Sequence, residues 1–165
     1  MAMMKKQTLF LRIALIILSL AIVGMVGGLI PVAILIGIIS DWSQFTYQWA
    51  YIGLALEIEL TVIAFLFAVS QVWLILNQIE KRRVFTELTI KPIKRIKYAS
   101  LFVFLLFVVG APIAFFVAQA EDAPGIVLMD FLVALAGATM TVFSAVLQKL
   151  LSEAITFKKE NELTV

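Results

Sequence analysis

The stretch AYIGLALEIELTVIAFLFAVSQVWLIL at residues 50–76 decides the fold, because only two charged side chains, Glu57 and Glu59, interrupt a long apolar run. A helix of that length, rising 1.5 Å per residue, would extend about 40 Å. The hydrocarbon core of a bilayer is only about 30 Å thick. We therefore interpret this stretch as a transmembrane helix.

Three more apolar runs, at residues 13–39, 99–118 and 125–147, have the length that a helix needs to cross a bilayer. The chain is 63% hydrophobic and 15% charged, and a soluble domain of this size could not bury so much apolar surface. The first run is too long for the core of a signal peptide, so we interpret it as a retained span. The sequence predicts an all-α integral membrane protein, with one domain over residues 1–165 and a four-transmembrane-helix bundle.

The basic residues predict the orientation of the four spans. All 13 Lys and Arg lie before the first span, between the second and third, or after the fourth. The two opposite loops, residues 40–49 and 119–124, contain no basic residue and carry Asp41, Glu121 and Asp122. The positive-inside rule therefore predicts that both termini and the middle loop are cytoplasmic (N-in/C-in).

Small and polar residues recur at helical spacing and indicate where the spans contact one another, because lipid provides no hydrophobic force between helices. We expect these stripes to face the bundle interior. They are Ala21, Gly24, Gly28 and Pro31 in the first span; Gly53, Glu57, Thr61, Ala64, Ala68 and Gln71 in the second; Gly110, Ala114 and Ala118 in the third; and Asp130, Ala134, Gly137, Thr141, Ser144 and Gln148 in the fourth.

Glu57, Glu59 and Asp130 are the candidate functional residues within the membrane, where an ionisable side chain is costly. Two residues turn a helix by about 200°, so Glu57 and Glu59 should face nearly opposite sides. Asp130 enters from the same side of the membrane as Glu57 and should approach it. Three interpretations stay open. The acids form a pocket for a cation, a proton or a basic ligand; they are protonated and hydrogen-bonded to Thr61, Thr141 or backbone carbonyls; or they line a water-filled cavity without a ligand.

The cytoplasmic face is strongly basic, with Arg82, Arg83, Lys94, Arg95 and Lys97 as candidate contacts. These side chains either dock an acidic partner or lipid headgroups, or serve only to orient the spans. Thr86 and Glu87 have the pattern of a short helix start. We expect Pro92 to begin the cytoplasmic extension of the third span, since Pro suits the first helical position.

The sequence argues against several classes of function. The chain has no Cys and no His, which excludes disulfides, haem ligation by His and the usual zinc sites. Without a nucleophile, a metal cluster or a Gly-rich phosphate loop, we do not expect an enzyme. No cofactor, no metal and no direct binding of nucleic acid are expected.

Three segments carry a resemblance to a known family. They are FTELTIKPIKRIKY at residues 85–98, EDAPG at residues 121–125 and VLQKLLSEAITFKKENELTV at residues 146–165. In these segments the chain resembles the YoaS-like bacterial membrane proteins, a family of unknown function. The chain departs from the family at Glu162, where the family usually has Asp, and at Pro92, where it has a helix-forming residue. The resemblance implies a four-span protein of the bacterial plasma membrane, often encoded beside a small helix-turn-helix regulator, and it implies no catalytic residues.

The closing hexapeptide is the most specific part of that resemblance. It consists of Glu160, Asn161, Glu162, Leu163, Thr164 and Val165. We expect a sensing, tethering or regulatory protein that acts through its cytoplasmic loop and this tail, with membrane lipids and a cytoplasmic regulator as partners. The alternative is a small transporter or channel subunit that forms a homo-oligomer and uses Glu57 as its ion- or proton-coupling carboxylate.

Overall fold

The computed structural model describes the backbone over residues 2–40, 48–81 and 86–163, and the side chains over residues 8–39, 48–81 and 86–160. All of its regular elements are helical. The first span consists of α1 (Ala2–Ala21), a π-helix (Ile22–Leu29) and α2 (Ile30–Ser40); the others are α3 (Gln48–Glu80), α4 (Glu87–Ala120) and α5 (Gly125–Leu163). Four helices long and apolar enough to cross a membrane therefore lie where the sequence predicts four spans.

The surface of the bundle is apolar, as expected for helices in contact with lipid. Large side chains such as Val109 and Phe10 are 75% and 74% exposed. Such a surface is stable against hydrocarbon and unfavourable in water.

The helices continue past the predicted spans on the side of the basic residues. The sequence predicts that the extension of the third span begins at Pro92. This prediction is wrong, because α4 begins five residues earlier, at Glu87. Pro92 lies in the second turn of α4, where its missing N–H removes only one intrahelical hydrogen bond. At the other end of the chain, α5 continues well beyond residue 147 to Leu163.

The first span contacts α3 through a glycine that the spacing rule does not select. A Cβ atom at Gly27 would lie 3.2 Å from Cγ1 of Val62, whereas one at Gly24 would have no neighbour within 4 Å. The expectation that Gly24 forms the contact face is therefore wrong. That expectation assumed α-helical turns, but a π-helical turn contains more residues and rotates the following side chains to a different face.

Helices that are neighbours in sequence pack on one another. Among the described residues, the first span packs on α3, and α3 and α5 both pack on α4. The backbones of α4 and α5 approach closely at Gly137, where an added Cβ atom would lie 3.0 Å from the backbone nitrogen of Phe104. The central position of α4 places it between the acidic residues of α3 and α5.

The start of α3 and the end of α4 are joined by a small buried cluster. Tyr51 packs there with Ala50, Ile38 and Val117, and its hydroxyl donates a hydrogen bond to Oε1 of Glu121. The connection from α4 to α5 is short and turns at Asp122, whose φ is 51°. These contacts fix the position of α3 along the axis of α4.

Candidate functional site

The carboxyl group of Glu57 is buried at the interface between α3 and α4. The residue is 4% exposed, and neither of its carboxyl oxygens has a hydrogen-bond partner among the described residues. Its position depends on Gly110 of α4, since a Cβ atom there would lie 2.5 Å from the carboxyl carbon of Glu57. A larger residue at position 110 would occupy the space that the carboxyl group fills.

Asp130 of α5 is the second acid of the site. It is 7% exposed, and its Oδ1 is buried without a hydrogen-bond partner among the described residues. Glu57 and Asp130 thus belong to two helices that both pack on α4. Two ionised carboxylates so placed would repel each other in a medium that screens charge poorly.

Neither threonine that was predicted to hydrogen-bond with these protonated acids does so. Thr61 donates to the backbone carbonyl of Glu57 at 2.8 Å, and Thr141 donates to that of Gly137, also at 2.8 Å. Each hydroxyl is therefore used within its own helix, a common arrangement for Thr in a helix interior. The interpretation in which Thr61 and Thr141 satisfy the carboxyl groups is wrong.

Glu59 has a different environment from Glu57, although only two residues separate them. It is half-buried, and its carboxyl oxygens are not among the buried atoms that lack a partner. Among the described residues, Glu57 and Asp130 are the acids whose buried carboxyl oxygens lack a hydrogen-bond partner. Glu59 offers a natural comparison for experiments on that pair.

The chain is similar to proteins whose function is also unknown. Residues 11–165 match a family described as a protein of unknown function, DUF2975. The chain is also 35% identical to the uncharacterized membrane protein YoaS of Bacillus subtilis strain 168, over 99% of this chain and 100% of that protein. The chain belongs to this family. No solved structure matches it.

In this DUF2975 protein, those basic candidates that the structure describes do not form one site. Arg95 donates a hydrogen bond at 3.3 Å to Oε1 of Gln71, which is buried on α3. The ammonium group of Lys97 lies 5.1 Å from the ring centre of Tyr98, and Lys94 lines a separate groove together with Gln148. Arg82 and Arg83 lie outside the described residues.

The acidic residues of the tail and the basic residues of the inner loop predict that these two segments fold against each other near the membrane. Immediately before the tail, Nζ of Lys159 in α5 lies 2.9 Å from Oε1 of Glu87 at the start of α4. The backbone of α5 reaches Leu163. The side chains of Asn161, Glu162 and Leu163, and all of Thr164 and Val165, lie outside the described residues.

Sequence reasoning missed a polar cluster that joins the start of the first span to the end of α3. Arg12 forms an ion pair with Glu80 at 2.9 Å, donates a hydrogen bond to Asn77 at 2.7 Å, and lies 4.9 Å from the ring centre of Trp73. Thr8 donates a further hydrogen bond to Glu80 at 3.0 Å. The spacing of Trp73, Asn77 and Glu80 places them on one helical face and could have indicated this cluster.

Proposed function

We propose that the protein is a sensing or regulatory membrane protein that binds a proton or a small cation at Glu57 and Asp130 and signals through its cytoplasmic face. The observation that carries this proposal is the burial of both Glu57 carboxyl oxygens without a hydrogen-bond donor among the described residues. An ionised carboxylate in that position would have a large desolvation cost, which protonation or a bound cation would offset.

Few other charged or titratable groups face this site. Residues 13–40 and 99–120 contain none, and residues 125–148 of α5 contain only Asp130. On α3 itself, Glu59 points to another face and Tyr51 lies at the outer end, bonded to Glu121. Binding at Glu57 would therefore couple mainly to Asp130.

Two continuous helices connect this site with the cytoplasmic face. Gly110 lies in α4, which begins at Glu87, and Asp130 lies in α5, which runs to Leu163. The backbones of α4 and α5 approach closely at Gly137, so a shift of one helix would move the other. Such a shift is the kind of small displacement that regulatory helical proteins use.

The test measures whether the inner ends of α4 and α5 respond to protons or cations. The chain has no Cys, so spin labels can be attached at Tyr98→Cys and Val146→Cys, two exposed positions. In lipid nanodiscs, we expect the distance between the labels to change with pH or with added Na⁺, K⁺ or Mg²⁺. Glu57→Gln should abolish the change, because Gln has a similar shape but cannot ionise.

Glu59→Gln is the matched control, since it removes an equal charge from the same helix two residues away. We expect it to leave the response intact. The proposal fails if Glu59→Gln abolishes the response as fully as Glu57→Gln, or if the distance stays constant under all these conditions.

A small transporter or channel subunit is the second candidate, and the depths of the two acids favour it. Asp130 lies about 8 Å along α5 from Gly125, and Glu57 lies about 14 Å along α3 from Gln48. Acids at successive depths are typical of ion pathways. Ion flux in proteoliposomes that depends on Glu57 would support transport and would replace the sensing proposal.

The cellular context of the proposal is a bacterial plasma membrane with both termini in the cytoplasm. A cytoplasmic regulator would contact the tail at Glu160–Val165, and homo-oligomers would place several sites side by side. Crosslinking in native membranes, with and without these six residues, should recover the regulator only with the intact chain. No enzymatic activity is part of this proposal.

A further inference from the structure

A polar groove lies between the inner ends of α4 and α5. It has a volume of about 420 Å³. Its lining includes Lys91 and Lys94 from α4, and Gln148, Ser152, Thr156 and Lys159 from α5. Residues from both helices thus surround a space large enough for a small polar group.

The charge of the groove favours an anion. Glu87 also lines it, but this carboxylate is paired with Lys159 at 2.9 Å. Lys91 and Lys94 therefore leave the groove with a net positive charge. No ion pair of Lys94 occurs among the described residues.

A ligand in this groove should also donate a hydrogen bond to Gln148. Its side-chain oxygen Oε1 is buried and has no partner among the described residues. The hydroxyl of Thr156 does not donate to this oxygen, because it donates to the carbonyl of Ser152 at 3.1 Å. A ligand that combines a negative charge with a hydroxyl group would satisfy both the lysines and Gln148.

The groove lies at the level of lipid headgroups. Gln148 is about 34 Å along α5 from Gly125, and Lys94 is about 36 Å along α4 from Ala118. The hydrocarbon core is about 30 Å thick, and the headgroup regions extend the bilayer to about 40–45 Å. A phosphate group of the inner leaflet would therefore lie beside these two side chains.

We propose that this groove binds the headgroup of an anionic inner-leaflet phospholipid that carries a hydroxyl group, with the phosphate at Lys91 and Lys94 and the hydroxyl at Gln148. The site lies far from Glu57 and does not depend on the function proposed above. Basic pockets between helices on the cytoplasmic side are suited to such headgroups.

Native mass spectrometry of the full-length protein with added phosphatidylglycerol or phosphatidylcholine tests the site. The wild-type protein should retain phosphatidylglycerol preferentially. The double variant Lys91→Gln, Lys94→Gln should lose about fivefold or more of that preference. The matched control Lys97→Gln, Lys149→Gln removes the same charge outside the groove lining and should lose about twofold or less. Equal losses in the two variants would overturn the proposal, because they would reflect general surface charge.

Two further measurements separate the sources of the anion and test Gln148. Gln148→Leu should reduce the preference for phosphatidylglycerol over phosphatidylmethanol, which lacks the glycerol hydroxyls, while leaving the net charge unchanged. An unchanged preference would overturn the role of Gln148. Inorganic phosphate should not displace the lipid at millimolar concentration, and displacement would show a site for the free anion.

Discussion

Gly110 and Glu57 fit together across the interface of α3 and α4, because the absent side chain of the glycine leaves the space that the carboxyl group occupies. A Cβ atom at position 110 would lie 2.5 Å from the carboxyl carbon of Glu57. Packing against α4 therefore helps to position the carboxyl group of Glu57.

Gly110→Ala should destabilise the protein by about 1–3 kcal/mol, since the added methyl group overpacks a tight interface. Thermal unfolding in detergent micelles measures the effect. In a Glu57→Ala background the same substitution should cost much less, because the overlapping carboxyl group is gone.

Gly24→Ala is the control for that experiment, because a Cβ atom at Gly24 would have no neighbour within 4 Å. We expect it to leave the unfolding temperature nearly unchanged or to raise it slightly. If Gly110→Ala proved as harmless as this control, the described fit between α3 and α4 would be incorrect.

The sequence predicted the four helices because hydropathy reports a strong physical constraint. Within hydrocarbon, every backbone N–H and C=O must bond internally, so a long apolar run is helical. The rotation of each helix about its axis is set by packing instead. The π-helix before Pro31 shows the difference, because it moved the contact of the first span to Gly27.

The candidate site was also only partly predictable. Glu57 and Asp130 could be recognised because charge within an apolar run is costly. The spacing could not predict that, among the described residues, both carboxyl oxygens of Glu57 and Oδ1 of Asp130 have no hydrogen-bond partner. Thr61 and Thr141 have the right spacing, but they donate to carbonyl groups of their own helices. Local spacing predicts the helix face on which a side chain lies. It does not predict the group with which that side chain forms a hydrogen bond.

Arg12→Gln should destabilise the contact of the first span with α3. The substitution removes an ion pair with Glu80 and a hydrogen bond to Asn77 in a partly buried setting. We expect a loss of about 1–3 kcal/mol in the free energy of unfolding, because hydrogen bonds to charged groups are stronger than neutral ones. Thermal unfolding in detergent micelles measures this loss.

Lys81→Gln removes the same charge from an exposed position at the end of α3 and provides the comparison. Its effect should be within about 0.5 kcal/mol of zero. Equal destabilisation by the two variants would show that Arg12 acts only through its charge at the membrane surface.

The orientation of the spans can be tested by chemical labelling, because the natural chain has no Cys to interfere. Pro124→Cys, in the connection between α4 and α5, should react with a membrane-impermeant maleimide in intact cells. Lys81→Cys should react only after the membrane is permeabilised. Labelling of Lys81→Cys in intact cells would reverse the orientation predicted from the basic residues.

The last prediction concerns the contact between Glu87 and Lys159, both of which lie outside the predicted spans on the side of the basic residues. The hydrogen bond and positive charge of Lys159 lower the pKa of Glu87. A carboxyl group with a lowered pKa stabilises the folded contact above its unfolded pKa of about 4.3. That stabilisation is lost as the pH falls through the lowered pKa of the folded state.

Spin labels at Leu88→Cys and Phe157→Cys, both exposed, should therefore give a narrow distance distribution at neutral pH and a broader one in acid. Because the ion pair is exposed, 1 M salt should also broaden the distribution at neutral pH. Glu87→Gln should give the broad distribution at every pH, whereas Lys149→Gln, which leaves the ion pair intact, should behave like the parent protein. A narrow distribution in Glu87→Gln would show that backbone packing of α4 and α5, and not this ion pair, holds the end of α5.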